Sequence, residues 1–240
     1  ARQFGAFALN FRSCSGELNR ALKSYNSGDF SDLTWALQRI REVGVEGPLL
    51  GVGFSLGASV LLNFVSATSE HCPLHAAAAV STPFDLQTCV RHIDSAQPWP
   101  TLYREWFLRS LRQKALDKAK LFPGALDWAA AAKARGLEAF DDHVTAPSFG
   151  FEDARAYYQS CSSRGLLGTI RRPTLLLSSI DDPMVPSSCL PAPETLQSNP
   201  QLTAVFTERG GHLGFVDGAI HRPGFWAERQ VAQFLACALG

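Results

Sequence analysis

The chain has 240 residues, 46% of them hydrophobic and 18% charged, with 22 basic side chains against 22 acidic ones. That composition is globular rather than disordered, and a formal charge of zero offers no basic excess for nucleic acid. No run approaches the ~18 apolar residues of a membrane-spanning helix.

In chain order, residues 7–11 read as a short apolar strand. A helix follows from Ser31, because Leu33, Leu37, Ile40 and Val43 recur at helical spacing. Asp29 or Ser31 is positioned to cap it, and Gly44 to end it. Residues 48–52 form a buried-strand run. A second helix pattern carries Val60, Leu61, Phe64 and Val65, and residues 76–81 give another strand closed by Thr82-Pro83. From about Phe84 to Gly165 aromatic, alanine-rich and charged residues mix, and no strand stands out. Strands resume at 173–180 and 202–206, and a closing helix carries Trp226, Val231, Phe234, Leu235 and Leu239. Strands alternating with helices predict one α/β domain over residues 1–240 with a mainly parallel sheet. Its core is expected at 1–83 and 166–240, with a helical cap inserted over about 84–165.

Six cysteines (Cys14, Cys72, Cys89, Cys161, Cys189 and Cys237) are scattered without a C-x-x-C pair or metal-ligand spacing. They predict neither a disulfide framework nor a metal site, and suit a reducing, cytoplasmic compartment. Asp141 and Asp142 have no companion His or Glu at ligand spacing, so a structural role is expected for them. No cofactor is called for.

Gly53-Phe54-Ser55-Leu56-Gly57 has the form of a nucleophile elbow, with an apolar strand before it and a helix pattern after it. Such a turn is strained and crowded, so small residues flank the serine two positions away. It lifts the hydroxyl above the sheet and aims the Leu56 N–H and the positive helix end at the reacting centre. A serine hydroxyl is a poor nucleophile at neutral pH and needs a base oriented by an acid. On this scaffold the acid follows a later strand and the histidine follows the next one. Asp181-Asp182-Pro183 ends one such strand, and Gly210-Gly211-His212 follows the next. Adjacent strand-end residues point different ways; Asp182 is the expected partner of His212, and Asp181 is suited to bonding loop N–H groups. His71, His75, His92, His143 and His221 lack the post-strand position.

A family comes into view from these residues together with Asn10-Phe11-Arg12, Ser15-Gly16-Glu17, Phe140-Asp141-Asp142, Thr145-Ala146-Pro147, Gly150-Phe151, Tyr157-Tyr158 and Gly210 to Phe215. The chain closely resembles the YheT-like α/β-hydrolases, which include bacterial esterase-like proteins, animal α/β-hydrolase-domain lipases and yeast enzymes that make fatty-acid ethyl esters. The resemblance implies the α/β-hydrolase fold and acyl chemistry on carboxylic esters. It implies Ser55 as nucleophile, Asp182 as acid and His212 as base. The chain departs from the family at Ser13, where glycine is usual, and at Asn26, where histidine is common. It opens near the family's fourth strand, and nothing before Ser55 matches the His-Gly loop that supplies the other oxyanion N–H. A longer native protein with upstream strands is therefore expected.

The expected partner is a small acyl ester with an apolar tail, with no nucleic acid and no transmembrane segment; the sequence leaves the oligomeric state open. Water or an alcohol would resolve the acyl-enzyme, and the residues do not choose between them. A non-catalytic binding protein on the same fold is the alternative from another class. Trp99, Tyr103, Trp106, Phe107, Leu108 and Leu111 either line an acyl pocket or form the insertion's own core, and packing is the commoner fate of such aromatics.

Overall fold

The computed structural model describes residues 4–219 and 221–240. Its main elements are α1 (Ser31–Glu42), β1 (Leu49–Phe54), α2 (Leu56–Thr68), β2 (Leu74–Val80), α3 (Leu86–Ile93), α4 (Pro98–Leu121), α5 (Trp128–Lys133), α6 (Ala154–Cys161), β3 (Thr174–Ser179), β4 (Leu202–Thr207), β5 (Val216–Ala219), β6 (Arg222–Phe225) and α7 (Trp226–Cys237). They group into two compact units. One holds residues 4–7, Ser27–Asp85 and Ser162–Gly240; the other holds Ala8–Asn26 and Leu86–Cys161. Among the described residues no helix is long and apolar enough to cross a membrane, and all six cysteines are free thiols.

The first unit is built on a sheet of order β1-β2-β3-β4, parallel throughout. A parallel sheet covered on both faces needs apolar side chains on both parities of its inner strands, and β2 and β3 supply them. Ala77, Ala79 and Leu176 face one core with Leu61, Leu62 and Val65 of α2 and Leu37 of α1. Ala76, Ala78, Val80, Leu175 and Leu177 face the other with Ala227, Val231 and Leu235 of α7. Ala76 to Ala79 are wholly buried despite alanine's weak preference for strands. Their small side chains suit a strand packed on both sides, and packing overrides local propensity.

Residues 7–11 do not form the expected strand: their backbone is irregular. Among the described residues no strand pairs with them, and Phe7 and Leu9 are exposed; without a partner, an apolar run cannot satisfy its backbone as strand. The β5–β6 hairpin was not expected either, because Gly218, Pro223 and Gly224 interrupt any alternating pattern. Helix α1 starts at Ser31, whose N–H donates to Asp29 Oδ1 at 3.0 Å. It stops before Gly44, which takes a positive φ of 84°.

The second unit has two small cores. Leu86, Val90, Ala154, Tyr157 and Tyr158 gather in one; Leu108, Ala115, Trp128, Ala131 and Phe140 gather in the other, with Leu111 against them. Leu108 and Leu111 are therefore core residues, while Trp99 and Trp106 stay exposed. Buried Lys118 of α4 ties residues 19–21 to this unit, its Nζ donating to Asn19 Oδ1 at 2.7 Å and to the Ala21 carbonyl. Ser13 takes a positive φ of 63°, the backbone region where glycine would be at ease. Its hydroxyl donates to Asn19 Oδ1 at 2.6 Å, which holds the turn.

Asp141, partly buried in a π-helical turn, accepts from Thr145 Oγ1 at 2.5 Å and from the Tyr158 hydroxyl at 2.7 Å. Asp142 accepts the Ala154 N–H at 2.7 Å. Burial pushes the Asp141 carboxyl up to about 6, only partly opposed by its two hydrogen bonds. The folded state thus holds this proton more tightly than the unfolded chain. The group's stabilising contribution is complete below the ordinary value of 3.8 and is lost as pH rises through about 6. Asp141→Asn should flatten the pH dependence of the thermal midpoint between about 4 and 6 and raise the midpoint at neutral pH; calorimetry across that range checks both.

Candidate active site

Ser55 sits between β1 and α2 with φ 51° and ψ −122°, a strained backbone for a side chain of its kind. The sheet holds it there: its N–H donates to the Val80 carbonyl at 2.8 Å. Gly53 makes the close turn possible. A Cβ there would lie 2.5 Å from the Gly57 carbonyl oxygen and 2.7 Å from Ala58 Cα, both backbone atoms that cannot swing aside. Leu56 is the first residue of α2, so its N–H has no acceptor within the helix.

The structure brings Ser55, His212 and Asp182 together, all within the first unit. Ser55 Oγ lies 2.8 Å from His212 Nε2, and His212 Nδ1 lies 2.7 Å from Asp182 Oδ2. An ionised carboxylate only accepts, so Nδ1 carries the imidazole proton and Nε2 is left to accept from the serine hydroxyl. Asp182 is 5% exposed, and its second oxygen is also satisfied: Oδ1 accepts the N–H groups of Met184 at 2.8 Å and Val185 at 3.0 Å. A buried carboxylate bonded this fully is fixed in position. The backbone donors at Met184 and Val185 were not read from the sequence. Their signal is an aspartate followed by a turn that folds back onto its side chain.

Asp181, beside it, faces another way. It is exposed and accepts the Gly211 N–H at 2.9 Å. That bond holds its carboxyl below the usual aspartate range. The histidine loop is closed by the Phe215 N–H donating to the Gly210 carbonyl at 2.9 Å. Phe215 is buried, stacks on Trp226 at 6.1 Å between centroids and comes so near Gly210 that a Cβ there would lie 2.5 Å from its ring. Of the other histidines, His75 Nε2 meets the Ala238 carbonyl at 3.1 Å. Among the described residues no three His, Cys, Asp or Glu side chains gather as metal ligands.

Residues 1–228 match the alpha/beta hydrolase family, and the chain belongs to it. YheT of Escherichia coli (strain K12) is 34% identical over 96% of this chain and 67% of its own length. The human protein named phospholipase ABHD3 is 29% identical over 95% of this chain and 55% of its own. The Saccharomyces cerevisiae protein named monoacylglycerol lipase is 30% identical over 97% of this chain and 52% of its own. The chain thus spans between about half and two thirds of the length of these relatives. Among solved structures, the Pyrococcus furiosus esterase Pf2001 covers 91% of this chain and 66% of its own, with a TM-score of 0.50 at 16% identity, a likeness of fold.

Gly53→Ala tests the elbow. The added methyl group has only backbone to push against, so the variant should lose about 1–3 kcal/mol of stability in urea denaturation.

Proposed function

We propose that this chain carries the active site of a serine hydrolase acting on carboxylic esters with apolar acyl groups. The observation that carries the reading is the unbroken hydrogen-bonded line from Ser55 through His212 to buried Asp182. In that reaction Ser55 Oγ attacks the ester carbonyl carbon while His212 Nε2 takes the hydroxyl proton. Asp182 keeps the imidazole in the tautomer that can accept it and stabilises the imidazolium that forms. The Leu56 N–H donates to the developing oxyanion. Collapse of the tetrahedral intermediate breaks the bond to the alcohol, which leaves with the proton from His212. Water, deprotonated by the same imidazole, then attacks the acyl-enzyme, releases the acid and restores Ser55.

Relatives named phospholipase and monoacylglycerol lipase support an acyl ester of lipid type as the substrate class. So do three exposed apolar side chains near the reacting groups in sequence: Phe54 before Ser55, Ile180 two residues before Asp182 and Leu213 after His212, at 45%, 51% and 46% exposure.

A fluorophosphonate probe reacts only with an activated serine, so it should label the protein. Ser55→Ala should abolish the label and lower ester hydrolysis on the order of 10⁶-fold while the fold persists. Labelling retained in that variant would refute the assignment. On nitrophenyl esters of rising chain length, kcat/KM should climb beyond acetate, as an apolar acyl site gains about 0.8 kcal/mol per buried methylene. Activity confined to acetyl esters would argue for a small, polar acyl site.

A further inference from the structure

Three side chains that take no part in the chemistry converge on the backbone of the histidine loop. Ser81 follows β2 directly; it is wholly buried with φ 53°, and its N–H donates to the Leu177 carbonyl of β3 at 2.7 Å. Its hydroxyl donates to the carbonyl oxygen of His212 itself. Ser179, the last residue of β3 and also wholly buried, donates from Oγ to the Gly211 carbonyl at 2.6 Å. Asp181, two residues on, accepts the Gly211 N–H at 2.9 Å. Both polar groups of the Gly211 backbone and the carbonyl of His212 are therefore held by side chains from the ends of the two central strands.

We infer that Ser81, Ser179 and Asp181 form a clamp that positions His212, fixing its backbone so that the imidazole stays in line with Ser55 and Asp182. The inference rests on the reading of Ser55, His212 and Asp182 as the reacting groups. The physical need is plain. Gly211 takes a positive φ of 64° and Gly210 precedes it, so the loop has little stiffness of its own. A histidine on such a loop wanders unless its backbone is tied, and a misplacement of ~1 Å at a reacting group costs about 10²-fold in rate. The carboxyl of Asp181 lies below its usual range mainly through the Gly211 bond, so the clamp stays engaged across neutral and mildly acid pH.

The test uses the full chain, with Asp181→Ala as the main variant because this residue is exposed and its loss should not disturb folding. Ser81→Ala is the buried counterpart. Loss of one hydrogen bond to the loop should lower kcat about tenfold with KM little changed, and Asp181→Asn, which keeps an acceptor oxygen, should restore the rate. The low-field proton resonance of the His212 Nδ1–H, identified by its loss in His212→Gln, should broaden in Asp181→Ala and sharpen again in Asp181→Asn. A wild-type kcat and an unaltered resonance in both alanine variants would overturn the clamp. If the wild-type chain hydrolyses no ester, the proposed function fails instead, and the resonance alone decides whether the clamp holds the imidazole.

Discussion

The site depends on the parallel ladder of the four-stranded sheet. Parallel strands in register end at the same edge, and here Phe54 pairs with Val80, Val80 with Leu177, and Leu177 with Val205. The residues that leave those strand ends are therefore neighbours, however far apart they lie in sequence. Ser55 and His212 are 157 positions apart and touch. The ladder also holds the strain. Ser55 and Ser81 both take positive φ, at 51° and 53°, and each is pinned through its N–H to the strand beside it. Backbone in this region persists only where its surroundings over-determine it.

A ladder can bear that strain only if it is rigid, and the rigidity comes from burial on both faces. Leu175, Leu176 and Leu177 are each at most 2% exposed, and they alternate between the α2 core and the α7 core. Shifting the register of such a strand would turn every side chain to the wrong face, so the pairing is strongly specified. The polar residues at the ends of the same strands break the apolar pattern. Ser81, Ser179 and Asp182 are buried, yet each has a partner in the histidine loop. Polar groups inside a fold remain there when they are satisfied, and such local departures from pattern concentrate where a protein acts.

Much of this was legible in the sequence. The strands at β1 to β4 and the helices α1, α2 and α7 followed from apolar runs, helical spacing and caps, because each buries a continuous apolar stripe. Ser55, Asp182 and His212 stood out because the elbow glycines and the order of strand ends leave few other positions for them. The run at residues 7–11 misled because its apolar content satisfies a strand pattern, whereas a strand exists only when a neighbour pairs with it. The β5–β6 hairpin was hidden by its own proline and glycines. The apolar residues of α4 could not be divided into core and surface by composition: Leu108 is buried and Trp106 is 70% exposed, two positions apart on one helix.

The sequence by itself determined the order of β1 to β4 with α1, α2 and α7, the nucleophile elbow and the residue types of the proposed site, since these follow from local periodicity and backbone sterics. The strand-end position already favoured Asp182 over Asp181 as the partner of His212; the tertiary structure supplies the contact itself, and it alone decided which side chains hold the histidine loop. Asp181 and Asp182 are chemically identical neighbours. Their roles are divided by the direction each side chain leaves the end of β3, one toward the Gly211 N–H and one toward the imidazole. Ser81 and Ser179 carry no local signal at all. A serine at a strand end becomes a clamp only when the fold brings a distant carbonyl within reach of its hydroxyl, and that is a property of the packed sheet rather than of any stretch of chain.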